Sequence, residues 1–327
     1  MTSIIGLSVR DIGGYPVTVR DLRLDDGRVL RTYDGGPVEG GAADGRRPVG
    51  GRSVWGRAAA SGVKTPNGGM TVIWHHGSPQ TGAPLEPVLS EAVRRGIRLV
   101  SYGRPAYGTS TPDPGRSVAS AARDVEQLAD ALGLERFAVM GASGGGPHAL
   151  ACAALLPDRV SAAVTLAGIA PYPVAPGTPR GFDFFAGMAD PSGLRAALRG
   201  RDARRAHELT AEFDPDSFID RDIDALNGPW SSLGADVALA TAAGPAGLDG
   251  LIDDDVAFTR PWGFELESIV APVLLVQGSR DRVVPPLHAE WMLARIPSAE
   301  LWSRPLDGHI SVLNACPAAL DWMSSHP

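Results

Sequence analysis

The stretch Phe137-Ala138-Val139-Met140-Gly141-Ala142-Ser143-Gly144-Gly145-Gly146-Pro147 decides the reading of this chain. Phe137–Met140 is a short apolar run of strand type. Pro147 opens a helix that runs to Leu156 and is stopped by Pro157. Between strand and helix lies G-x-S-x-G, at Gly141, Ser143 and Gly145. A serine in that setting sits on a tight, strained turn that pushes its hydroxyl out of the sheet edge, and its neighbours must be small because backbone packs closely there. The helix that begins at the serine offers free N–H groups and the positive end of its dipole to a developing negative charge. A glycine-rich loop with an idle serine is the plainer alternative. The flanking strand and helix favour a nucleophile.

Outward from this point the chain alternates. Thr71–Trp74, Ile97–Ser101 and Val160–Leu166 read as strands, and Leu85–Arg95 and Val118–Leu132 as helices. The alternation stops at residue 171 and resumes after residue 262 with Val273–Gln277, Leu287–Ile296, Ala299–Trp302 and Ile310–Ser324. Strands alternating with helices predict a parallel sheet covered on both faces. The interruption predicts a helical insert. Before residue 70, Pro16–Leu24 and Arg28–Tyr33 flank Asp25-Asp26-Gly27 and read as a hairpin, whereas residues 1–15 read as irregular. Asp34–Gly69 holds 11 glycines in 36 residues without apolar period and reads as a mobile loop around a local Val54-Trp55 contact.

A serine hydroxyl needs a base. Of seven histidines, His309 lies in a loop between the last strand and the last helix, at the sheet edge where Ser143 emerges. His148 and His288 fall inside helices, His207 in the insert and His326 near the C-terminus, which suit packing or surface roles. The base needs an orienting acid. Asp281 follows the buried run Val273–Gln277, giving the chain order Ser…Asp…His. Asp307 is too close to His309 in sequence to hold its ring, and Asp254 is a more distant candidate. Trp74-His75-His76-Gly77-Ser78-Pro79 follows the first parallel strand, and the N–H groups of Ser78 and Gly144 are the candidate oxyanion donors. The pair His75-His76 invites a metal reading. Adjacent strand residues point to opposite faces, however, so a loop-bracing histidine is preferred and no metal or cofactor is expected.

These blocks, with Tyr102-Gly103-Arg104-Pro105-Ala106-Tyr107-Gly108-Thr109-Ser110, Gln277-Gly278-Ser279-Arg280-Asp281 and Asp307-Gly308-His309, resemble the α/β-hydrolase family in pattern and order over roughly residues 70–170 and 264–325. The resemblance implies an α/β-hydrolase fold, a mostly parallel eight-stranded sheet flanked by helices with a helical cap insertion. The hairpin would supply its first two strands. The expected division is residues 1–69 as N-terminal hairpin and Gly-rich loop, 70–170 and 263–327 as the two parts of the core, and 171–262 as the cap. Two departures stand out: Ala142 precedes the nucleophile where many relatives carry a larger residue, and Asp34–Gly69 is longer than such enzymes need.

Apolar residues make up 44% and charged residues 20% of 327, ordinary for a globular protein. A net charge of −7 argues against a nucleic-acid partner. Residues 181–260 hold 15 acidic residues against 7 arginines, read as a solvated helical face. Cys152 and Cys316 read as buried free thiols. No apolar run is long enough for a membrane span and the N-terminus lacks signal-peptide features, which makes a cytoplasmic protein the default. Oligomeric state is left open. The expected function is cleavage of a small carboxylic ester. Proline-releasing aminopeptidase, acyltransferase and non-catalytic ligand binder are the alternatives. Phe184, Phe185, Trp230 and Trp262 are the candidate pocket aromatics.

Overall fold

Short apolar runs separated by helices can bury both faces only in a parallel sheet, because each crossover lays a helix on one face or the other. The computed structural model, which describes residues 2–36, 69–173, 182–212, 214–242 and 244–326, contains such a sheet. In chain order the elements are β1 (Ser3–Ile12), β2 (Tyr15–Arg23), β3 (Val29–Gly35), β4 (Thr71–His75), α1 (Glu86–Arg94), β5 (Arg98–Tyr102), α2 (Ser120–Ala131), β6 (Phe137–Ala142), α3 (Gly145–Leu155) and β7 (Val160–Leu166). Five helices follow: α4 (Ser192–Leu198), α5 (Arg201–Glu208), α6 (Asp220–Asn227), α7 (Ser231–Thr241) and α8 (Asp249–Phe258). The chain closes with β8 (Val273–Gly278), α9 (Leu287–Leu293), β9 (Ala299–Arg304) and α10 (Cys316–Ser324).

The strand order is β1-β2-β3-β5-β4-β6-β7-β8-β9. The six strands from β5 to β9 are parallel, and β1, β2 and β3 add an antiparallel meander through the β3–β5 pair. Every residue of β4, β5, β6 and β8 is buried. Alternation along these strands feeds two cores. Ile73, Val100 and Val139 pack with Val125, Leu128 and Leu150 on one face, while Val72, Trp74 and Met140 pack with Leu89 and Leu320 on the other.

The sheet has nine strands rather than eight, because residues 3–12 form β1 instead of an irregular start. The two-residue Gly13-Gly14 turn, with φ of +62° and +88°, joins Ile12 to Tyr15 and sets the register of β1 on β2. Asp34 and Gly35 also belong to β3 rather than to the loop, because the Asp34 carboxylate accepts from Arg98 at 2.9 Å and from Arg20 at 2.8 Å. The remainder of the glycine-rich stretch, with Val54-Trp55, lies outside the described residues.

Beyond the β2–β3 turn, Arg28 reaches α2 and gives a bidentate pair to Asp124 at 2.5 and 3.1 Å, with both residues buried. Asp26 also accepts from Arg28 Nε at 2.8 Å. Removing one partner of a buried ion pair leaves the other uncompensated, at roughly 3–5 kcal/mol. Because Asp26 remains for Arg28, Asp124→Ala should lower the unfolding free energy by about 3 kcal/mol, measured as a lower urea midpoint; an unchanged midpoint would show the pair to be energetically idle.

Candidate active site

Ser143 stands between β6 and α3 with φ of +50°, a left-handed conformation that side chains other than glycine rarely adopt. The turn is held by its N–H donating to Leu166 O at 2.8 Å and by Ser143 O accepting from Gly146 N at 2.9 Å. Its neighbours have no room: a Cβ on Gly141 would run into Gly145 O, and one on Gly145 into His75 O. The small residues of the motif are therefore a packing requirement.

His309, in the loop after β9, approaches from the same edge. Its Nε2 lies 2.9 Å from Ser143 Oγ, and its Nδ1 lies 2.8 Å from Asp281 Oδ2. Asp281 is fixed in turn: Oδ1 accepts from Val283 N and Val284 N, each at 2.8 Å, and Gln277 Nε2 reaches Oδ2 at 3.3 Å. With Nδ1–H directed at a carboxylate, Nε2 is left as an acceptor for the serine proton. Burial disfavours the charged imidazole, but the carboxylates of Asp281 and, more weakly, Asp222 outweigh it and raise His309 above the ordinary imidazole value.

Asp222 was not foreseen from the sequence. It projects from α6 and accepts from His309 N at 3.2 Å, Ile310 N at 3.0 Å, Ser311 N at 2.8 Å and Ser311 Oγ at 2.7 Å. Asp307 is not a bare loop residue either, since it pairs with Arg221 at 2.5 Å and Arg304 at 2.9 Å.

The loop after β4 carries Ser78. Its hydroxyl donates to Asp254 Oδ2 at 2.6 Å. Among the described residues neither Ser78 N–H nor Gly144 N–H has an acceptor, whereas Gly77 N–H is engaged by Gln80 Oε1 at 2.5 Å. Ser78 and Gly144 are neighbours: a Cβ on Gly144 would run into Ser78 Oγ. His76 braces this loop as expected. Its Nε2 accepts from Arg104 N at 3.1 Å, so Nδ1 carries the proton and donates to Gly77 O at 2.6 Å. Burial, then the nearby Arg104, hold it neutral. Among the described residues no cluster of three or more His, Cys, Asp or Glu could hold a metal ion.

Asp254 is far from His309 in its contacts. Fully buried on α8, it accepts from Arg104 and Tyr107 at 2.7 Å and from Arg116 at 2.6 Å. Arg104 also donates to His76 O and to Ser78 Oγ. The insert's acidity is thus not simply a solvated face, since Asp222, Asp253 and Asp254 are buried and paired.

A cavity of about 300 Å³ opens at Ser143 and His309. The insert supplies Phe218, Leu226, Leu233 and Val237 to its wall, and the core Trp74, Leu85, Ile310 and Leu313. None of the four aromatics expected there lines it. Phe184 and Phe185 stack with Tyr172, Phe184 also packs on His288, and Phe185 carries Arg195 over its ring. Trp230 is buried with Nε1 donating to Asn314 Oδ1 at 2.8 Å, and Trp262 is buried beside Phe264. Large flat side chains contribute most where fully enclosed, so they hold the insert to the core while medium aliphatic residues line the void.

The chain belongs to the α/β-hydrolase fold family. The family model matches residues 71–315, three quarters of the sequence. Relatives include a putative non-heme chloroperoxidase of Synechocystis sp., 24% identical over 78% of this chain and 86% of its own length. A putative carbamate hydrolase, RutD, of Caulobacter sp. is 28% identical over 73% of this chain and 83% of its own length. Among solved structures, a thermophilic esterase from Thermogutta terrifontis superposes with a TM-score of 0.62 at 18% identity, covering 99% of this chain and all of the esterase. No helix of this α/β hydrolase is long and apolar enough to cross a membrane among the described residues.

Burial alone would raise the Asp254 carboxyl, but Arg104, Arg116 and His148 hold it far below the ordinary carboxylate range. A depressed carboxyl contributes stability that is fully present above its unfolded value near 4 and is lost as pH falls below it. Asp254→Asn, which leaves two buried guanidinium groups facing a neutral amide, should cost about 3–5 kcal/mol at pH 7. In urea melts its deficit should shrink as pH drops below about 4; a deficit independent of pH would refute a charge-based role.

Proposed function

We propose that this α/β hydrolase is a serine hydrolase that cleaves small, uncharged carboxylic esters through an acyl-enzyme on Ser143, with residues 171–262 as its cap. The observation that carries the reading is the contact of Ser143 Oγ with His309 Nε2, 2.9 Å long, at the floor of an apolar cavity.

Ser143 attacks the ester carbonyl carbon while His309 takes its proton, and Asp281 holds the ring in the required tautomer and stabilises the imidazolium. The oxyanion lies against the N–H groups of Ser78 and Gly144. Collapse of the tetrahedral intermediate expels the alcohol, which leaves with the proton from His309. Water then attacks the acyl carbon with His309 again the base, and release of the acid returns the proton to Ser143. No metal or cofactor enters these steps.

The cavity wall favours an ester over an aminopeptidase substrate. An aminopeptidase needs a carboxylate facing the substrate amine. Among the described residues no acidic side chain lines the cavity, and the carboxylates of Asp222, Asp236, Asp253 and Asp254 are engaged by N–H, hydroxyl or guanidinium donors. A pure binding pocket has no need of a serine hydroxyl on a left-handed turn facing a carboxylate-backed imidazole.

Ser143→Ala and His309→Ala should each lower kcat for short-chain esters by about a million-fold if the residues act as a unit. Ser143 should be labelled by a fluorophosphonate probe in wild type. Ester turnover by Ser143→Ala at near wild-type rate would remove the assignment. Filling the cavity with Val237→Trp should reduce kcat/KM for hexanoyl esters more than for acetyl esters, read from a nitrophenyl ester series; equal losses across the series would place the acyl chain elsewhere.

A further inference from the structure

We infer that Asp222 of α6 is a positioning residue for the catalytic base: its carboxylate gathers the backbone of the His309 loop and sets where the imidazole stands. The inference rests on the serine-hydrolase reading above.

Three successive amides, those of His309, Ile310 and Ser311, donate to the one carboxylate at 3.2, 3.0 and 2.8 Å, and Ser311 Oγ adds a fourth bond at 2.7 Å. Successive N–H groups converging on an anion form a concave nest, in which one carboxylate satisfies several backbone donors at once. The same carboxylate accepts from Ile219 N at 3.3 Å and so closes the first turn of its own helix. Asp222 is 1% exposed, so these donors replace water completely. The approach is close enough that residue 308 has to be glycine, because a Cβ there would run into Asp222 Oδ2.

Among the described residues, no other side chain accepts from the backbone amides of residues 309–311. Asp281 holds the ring of His309 through Nδ1 but does not touch its backbone. The adjacent Asp307 is paired with Arg221 of α6 and Arg304 of β9, which anchors the start of the loop two residues earlier. The charged groups facing the imidazole are therefore Asp281 from the loop after β8 and Asp222 from α6, with Ser143 as the neutral partner at Nε2. Both carboxylates favour the protonated ring, against its burial. The general base works unprotonated, so activity rises with pH through the His309 titration, and removing the Asp222 charge moves that limb to lower pH.

The test is the pH profile of kcat and KM for a nitrophenyl ester in Asp222→Asn, Asp222→Glu and Ser311→Ala beside wild type, with thermal melts of each. Asp222→Asn should lose roughly 10- to 100-fold in kcat, the scale of a catalytic group displaced by about an ångström. Its KM should change little and its acid limb should shift to lower pH. Asp222→Glu, which keeps the charge, should recover the position of that limb. Wild-type kcat and limb in a folded Asp222→Asn would overturn the inference, as would a loss of activity with the limb unmoved. Should Asp222→Asn fail to fold, Ser311→Ala decides: it removes one of the four bonds to Asp222, together with the bond from Gly308 N–H to the same hydroxyl, and kcat should fall several-fold at constant KM, with an unchanged kcat overturning the inference. Failure of the underlying reading shows separately, in wild type that neither turns over esters nor takes the fluorophosphonate label.

Discussion

A carboxylate taken out of water without partners is among the costliest groups a fold can hold, and here the insert carries two of them against the core. Asp254 on α8 meets Arg104, Arg116, Tyr107 and Ser78, and Asp222 on α6 meets the backbone of residues 309–311. Apart from Ile219 N–H, which closes the first turn of Asp222's own helix, the hydrogen bonds of both side chains come from the loop after β4, the loop after β5, or the loop after β9. The loop that carries Ser78 and the loop that carries His309 are thus tied to the insert through charge. Lifting either helix would strand an anion on one side and a set of unpaired donors on the other.

The rest of the insert follows the same logic at lower stakes. Arg201 joins Asp249 and Asp253, and Arg204 joins Asp255 and Glu208, tying α5 to α8. Several of these pairs are partly exposed and individually weak. Together they account for a segment whose acid excess looks, in one dimension, like a solvated surface. Its arginines are spaced to meet those acids only once the helices are packed.

What the sequence made legible was local. The strand–turn–helix around Ser143 announces itself because three physical demands, a buried strand, a tight turn and a free helix start, fall within eleven consecutive residues. Asp281 and His309 were readable because each follows a recognisable strand. The strand β1 was missed although Gly13-Gly14 is a two-residue hairpin turn: its Ile4, Leu7 and Val9 remain exposed at the sheet edge, so no buried face imposes the alternation that marks a strand. The pocket aromatics were misplaced because residue type records that a side chain will be buried, not which void it borders. Asp222 and Asp254 had no local signal at all. Their partners lie 87 to 89 and 138 to 176 residues away, and nothing in the neighbourhood of either aspartate distinguishes it from the acids beside it.

This wiring separates two kinds of wall residue. Leu226 lies on α6 with Asp222, and Phe218 stands two residues before that helix, so this part of the wall adjoins the element that holds the His309 loop. Leu233 and Val237 lie on α7, which has no buried residue and reaches the core through Asp236 and Thr81, bonded at 3.1 Å to the amide and 2.5 Å to the hydroxyl. That contact meets the loop after β4 beyond Ser78 and does not touch the histidine loop. The α6 wall is therefore tied to the loop that carries His309, while the α7 wall is tied through Asp236 to the loop after β4.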